Sequence, residues 1–216
     1  MLSSGSRPIG RLRRALVVPL AALGLVLLDG GVAHAALLRV TYDAGGTTRV
    51  ATTGSTIALG PSTLSVSLES TTGDFTGTLP LPPAPTTFAA VGLIPMSAEV
   101  IFEEAAPLTG HLAPKPDGTG SQIRATARYY LRLSNVRVAG LPTFAGPSCR
   151  TVAPVTIPMA TPDDESFAVF VGGHVSGSYA IGPFANCGLD TLLVNALVPG
   201  DGNTVDLDLS NPRRTS

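Results

Sequence analysis

From Gln122 to Leu133 the chain reads QIRATARYYLRL. Ile123, Ala125, Ala127, Tyr129, Leu131 and Leu133 alternate with Arg124, Thr126, Arg128, Tyr130 and Arg132. A period of two over twelve residues suits a strand with one face on a core and one in water, and no helix presents that pattern as a single apolar face. Leu64, Val66 and Leu68 alternate with Ser65, Ser67 and Glu69 in the same way, as do Val205, Leu207 and Leu209 with Asp206 and Asp208. Further strands are expected over Met96–Glu104, Val152–Ile157, Ser166–Val171, Val175–Ile181 and Asn203–Ser210, and from Phe75 to Leu81, where Pro82-Pro83 stops the ladder. After Ser134-Asn135 the parity flips, because Val136 and Val138 take the positions the arginines held; one extra residue, a bulge, accounts for this. Gly45-Gly46 reads as the turn of an early hairpin. Twenty-four glycines and nineteen prolines punctuate the runs. The fold class this predicts is all-β: an antiparallel β-sandwich or half-barrel with one or two short helices. The helical candidates are TLLVNALV, with Asp190 as N-cap and Gly200 as stop, and the weaker TTFAAVGL over residues 86–93.

One phrase occurs twice. FTGTLPLPP (Phe75–Pro83) and VSGSYAIGP (Val175–Pro183) share an order of apolar, hydroxyl, glycine, hydroxyl and apolar residues ending in proline. GLIP at Gly92–Pro95 and ALVP at Ala196–Pro199 extend the likeness, and a strand follows each. Gly77 and Gly177 fall on the apolar parity of their strands, where a glycine marks close approach of another backbone, a bulge or a covering aromatic ring. Two related halves are expected, residues 36–120 and 121–216, packed as one unit around a shared core because each alone is small.

Residues 1–35 carry Arg7, Arg11, Arg13 and Arg14, then an apolar run from Ala15 to Leu28, then Ala33-His34-Ala35. This is the layout of a secretory signal peptide, with an uncleaved anchor as the alternative. Four of the fourteen Lys+Arg and one of the fifteen Asp+Glu lie in that leader, so the remainder is net acidic by four charges. An acidic balance without a basic, aromatic-studded patch argues against a nucleic-acid partner. Membrane contact is expected only through the leader during export. Cys149 and Cys187, the two cysteines, read as a disulfide in an exported chain; thiolate ligation of a metal is the lesser alternative.

Candidate chemistry is sparse. No G-x-S-x-G elbow occurs. His174 and Ser176 stand two apart on one strand face, a weak nucleophile–base pair, and His111 is expected in an exposed loop. The carboxylates of PDDES (Pro162–Ser166) and of Asp201, Asp206 and Asp208, with Asn203, supply oxygen ligands suited to calcium but match no EF-hand spacing. No metal and no cofactor is expected. Arg124, Arg128 and Arg132 form a basic stripe that suits an anionic ligand such as a phospholipid headgroup or an acidic wall polymer. Its alternative role is structural, pairing across strands with Glu99 and Glu103.

The segment from Gly173 to Leu209 resembles a pattern recurring in secreted actinobacterial all-β proteins of unknown function: G-x-x-x-G-x-Y-x-I-x-x-F-x-x-C-G, then N-x-L, then G-x-G-N. Gly173, Gly177, Tyr179, Ile181, Phe184, Cys187, Gly188, Asn195, Leu197, Gly200, Gly202 and Asn203 stand at its places, and Cys149 fits the upstream cysteine. The resemblance implies an exported β-rich domain and carries no catalytic residue. The expectation is a non-enzymatic binding or interaction protein, secreted or in the cell envelope, with a lipid-like or cell-wall ligand. A structural or adhesive domain and an atypical hydrolase are the alternatives.

Overall fold

The computed structural model describes residues 37–90 and 93–215; the expected signal peptide lies outside them. The chain forms β1 (Leu37–Val50), β2 (Ser55–Glu69), β3 (Asp74–Thr78), β4 (Ala84–Ala90), β5 (Ile94–Pro114), β6 (Ser121–Val138), β7 (Leu141–Pro142), β8 (Arg150–Thr151), β9 (Val155–Ala160), β10 (Gly173–Ile181), β11 (Phe184–Ala185), α1 (Thr191–Leu197) and β12 (Gly200–Thr215). All pairing is antiparallel. The all-β class read from the alternation therefore holds, and the pairing adds closure. Going round, β1-β2-β3-β5-β6-β9-β10-β12 returns to β1, an eight-stranded up-and-down ring. Eight strands enclose a space that side chains can just fill. Inward residues such as Val40, Leu64, Leu79, Tyr129, Val175 and Leu207 fill it, while the outer wall carries Thr, Ser, Arg and Asp.

The weakest seam is β9–β10, held by the single pair Ser176↔Ala160. Pro158 has no N–H to donate there. Gly177 lies so close that a Cβ on it would sit 1.9 Å from the Pro158 carbonyl oxygen. Gly77 is similarly pressed against Ser65, 2.5 Å from its oxygen. The two repeated phrases thus lie on β3 and β10, four strands apart in the ring, and their glycines serve close backbone approach in both places.

Several local expectations are corrected. Gly45-Gly46 is not a turn: β1 runs through it, because a Cβ at Gly46 would fall 2.0 Å from the Asp206 oxygen and glycine lets β12 approach. The turn is at Ala51–Gly54, where Gly54 has φ +66°. Residues 86–90 are not helical but belong to β4, as β-branched Thr86 and Thr87 and aromatic Phe88 favour, each in register with β5. His111 is inside β5 rather than in a loop, paired with Asp74 and Arg124. Ser166–Val171 makes isolated bridges only; Phe167 instead plugs the ring, its aromatic centroid 5.9 Å from that of Tyr42. Asp190 precedes α1, but its side chain caps no backbone N–H. The bulge at Ser134-Asn135 is present: Glu99 and Ser97 oppose Ser134 and Arg137, with Asn135 at φ 52°.

Because the strands alternate in direction, the connections gather at two ends. The lower end has the turn after β2, the β5–β6 loop and residues 161–172. The upper end has the β1–β2 and β4–β5 turns, the β6–β9 segment with β7 and β8, and the β10–β12 segment with β11 and α1. The Cys149–Cys187 disulfide joins the last two. Closing a loop of that length stabilises a fold by about 3–4 kcal/mol on the chain-entropy account.

Candidate functional site

The upper end of the barrel contains a cavity of about 50 Å³ beneath α1. Val50 and Ile57 from the first hairpin, Ala98 and Val100 from β5, Leu133 from β6, and Val194 from α1 are among its lining. The lining holds no charged side chain. A second apolar cavity of about 30 Å³ lies nearer the lower end, beside Tyr42, Phe75 and Phe167.

Hydrogen bonds fix the upper cavity's walls. Thr48 Oγ1 donates to the Thr204 carbonyl at 2.7 Å, so its contact with Tyr179 at 2.6 Å takes the phenol proton. Fully buried Asn203 donates to the carbonyls of Tyr179 and Gly200 and accepts from the Ala51 N–H. Asn195 of α1 grips β11 from both sides, accepting from Phe184 N–H at 2.7 Å and donating to Phe184 O at 2.9 Å. Thr86 Oγ1 differs: it is buried in the cavity lining and has no hydrogen-bond partner among the described residues. The sequence signal for Thr48 and Thr86 was their place on the inward parity of β1 and β4, which a search for charged or nucleophilic clusters passes over.

The basic stripe divides. Arg132 Nε donates to Glu103 at 2.6 Å, and Arg150 lies 3.5 Å from the same carboxylate while its guanidinium stacks 4.3 Å over the Tyr130 ring. Glu99 takes no arginine; it accepts from Ser134 and Asn135, because the bulge shifts the register there. Arg124 and Arg128 form no ion pair among the described residues. Arg124 borders an open depression on the outer wall with His111, Ser176 and Ser178.

His174 directs Nδ1 toward Glu165 at 3.4 Å and Nε2 toward Asp206 at 3.5 Å. It makes no hydrogen bond with Ser176. His111 Nδ1 meets Asp74 at 2.9 Å, and that bond holds the Asp74 carboxyl below its usual range. No three His, Cys, Asp or Glu among the described residues gather as a metal site. Of the calcium candidates, Asn203 is fully committed inside the barrel.

No family model, curated protein or solved structure matches this chain. The G-x-Y…C-G…G-x-G-N residues nevertheless have a physical account. Gly177 admits Pro158, and Tyr179 and Asn203 hold the first hairpin. Cys187 closes the disulfide. Gly188, at φ +60°, adjoins the Phe144 carbonyl, where a Cβ would come to 2.4 Å. Asn195 fastens α1. Together they build the upper end and its cap.

Proposed function

We propose that the protein is an exported, non-enzymatic binding module that takes an apolar ligand at its upper end, entering beneath α1. The observation that carries this reading is the uncharged cavity in which Thr86 Oγ1 is the one buried hydroxyl without a partner. Buried polar groups are ordinarily paired, so a ligand with an aliphatic body and one polar atom suits the site. At about 50 Å³ the closed cavity is smaller than the 150 Å³ or so that admits benzene in an engineered core. Binding therefore requires α1 to swing away from β11, breaking the two Asn195 bonds. The disulfide at Cys187 retains the base of that cap. Export accords with the leader's layout and with the disulfide, and no helix among the described residues is long and apolar enough to cross a membrane. His174 faces two carboxylates instead of the Ser176 hydroxyl, which supports a binding reading over the hydrolase alternative.

The test is a thermal-shift and native mass-spectrometry titration with medium-chain fatty acids and alcohols. A saturable rise in melting temperature, with one ligand per chain, is expected. Ala98→Leu fills the cavity and should abolish the shift while leaving the fold intact by circular dichroism. No saturable binding to the native protein, or equal binding to Ala98→Leu, would remove the ligand. The small cavity volume favours a second reading in that event, a structural or adhesive domain with a filled core.

A further inference from the structure

The two ends of the barrel differ in chemistry. The lower connections carry Glu69, Asp74, Lys115, Asp117, Asp163, Asp164 and Glu165. The upper connections, residues 51–54, 93, 139–154 and 182–199, contain two charged side chains, Arg150 and Asp190, and Asp201 follows at the start of β12. The upper tips are instead apolar and in solvent: Leu93 is 86% exposed, Leu141 72%, Phe144 76%, Leu189 82% and Leu192 85%. They come from three connections far apart in sequence that the fold brings to one end. Phe144 and Leu189 are close, since the Phe144 carbonyl abuts Gly188. Just behind the tips stand Arg49, next to the last residue of β1, and Arg137, next to the last of β6, whereas Arg150 on β8 is already held by Glu103 and the Tyr130 ring. Arg137 Nη1 donates to the Gly140 carbonyl, which keeps that guanidinium beside the Leu141 tip.

We propose that this end docks on a lipid bilayer surface, the leucine and phenylalanine tips entering the boundary between headgroups and acyl chains and the arginines meeting anionic headgroups. Exposed aliphatic and aromatic tips that face water gain on transfer to that boundary. Cations set just behind them lie at headgroup depth, where anionic lipid attracts them. The charged lower end remains in water and fixes the orientation. A bilayer-crossing mode is ruled out by the outer wall, where Asp43, Glu103, Arg124, Arg128 and Asp206 occupy the surface that a spanning barrel leaves apolar. An end-to-end pair of copies would set the arginines against their own duplicates, a like-charge arrangement that opposes pairing. The proposal stands apart from the ligand reading, although the closed cavity beneath α1 lies at the same end.

Flotation of Ala35–Ser216, a compact unit in its own right, with vesicles of phosphatidylcholine and phosphatidylglycerol tests the idea. The native chain is expected to float with the vesicles. Leu192→Asp and Phe144→Asp should each reduce partitioning by about tenfold, the scale of one apolar side chain kept out of the boundary. Phe170→Asp, at an exposed apolar residue of the lower end, should leave partitioning unchanged, as should the cavity-filling Ala98→Leu. Circular dichroism establishes that each variant is folded. Absence of flotation, or an equal loss from Phe170→Asp, overturns the proposal. So does sedimentation showing that Leu192→Asp dissociates a dimer without changing vesicle binding, which would assign the face to a second copy.

Discussion

Asn203 has no solvent exposure and spends three hydrogen bonds on backbone groups of three elements. An amide there does what no apolar side chain can, since it satisfies an N–H at the β1–β2 turn and carbonyls on β10 and β12 at once. Asn203→Ala leaves those groups buried and unpaired. It should cost about 3 kcal/mol, within the range for orphaned buried polar groups. Urea denaturation measures this; a loss below about 0.5 kcal/mol would mean that the three bonds are individually replaceable by water. In sequence Asn203 stands among candidate calcium ligands, because an Asn among aspartates looks alike whether it faces a cation or a backbone. Residue type carries no information on burial when the strand's alternation is the only guide, and Asn203 stands on the inward parity with Val205, Leu207 and Leu209.

At the scale of elements, the long alternating strand β6 was legible down to its bulge, because a parity flip has only one simple structural meaning. β1 was not legible, since paired glycines signal both a tight turn and a close backbone approach, and only the position of β12, some 160 residues away, decides between them. The adjacent glycines separate these meanings experimentally. A Cβ at Gly46 would overlap the Asp206 carbonyl oxygen at 2.0 Å, whereas at Gly45 the nearest atom is the Leu59 oxygen at 3.9 Å. Gly46→Ala should therefore destabilise by about 3 kcal/mol or more, as overpacking against backbone does. Gly45→Ala should lie within about 1 kcal/mol of the native chain. Equal effects at both sites in thermal or chemical melts would contradict the strand-to-strand approach. β4 taught a similar lesson: Thr86-Thr87-Phe88 reads as strand by residue type, but the apolar spacing of Phe88, Ala89 and Leu93 imitates a helical turn. Its partner β5 settles the matter by pairing seven residues in unbroken register.

For the molecule as a whole, closure puts three of the four tyrosines inside one ring, and burial is the first cause of a raised phenol pKa at each. Tyr42 is pushed up to about 12, Tyr129 is raised further with the Glu104 carboxylate adding to the shift, and Tyr179 is raised although its bond with Thr48 works the other way. The folded barrel thus holds protons that the unfolded chain releases near pH 10. Stability from these groups is complete below that pH and is withdrawn as pH climbs from 10 toward and past 12, because the unfolded state then binds fewer protons. Urea midpoints should accordingly be flat in this contribution up to about pH 10 and fall steeply above it. Phenolate absorbance from Tyr42, Tyr129 and Tyr179 should appear together with loss of the near-ultraviolet dichroism. Tyr42→Phe should make the alkaline fall shallower while costing about 1 kcal/mol at neutral pH, for the lost bond to the Val169 carbonyl. Full phenolate absorbance in a chain that still shows native dichroism would mean that water reaches the ring's interior. That result would also undercut the closed cavity, since the wall that excludes water from Tyr179 is the wall that encloses it.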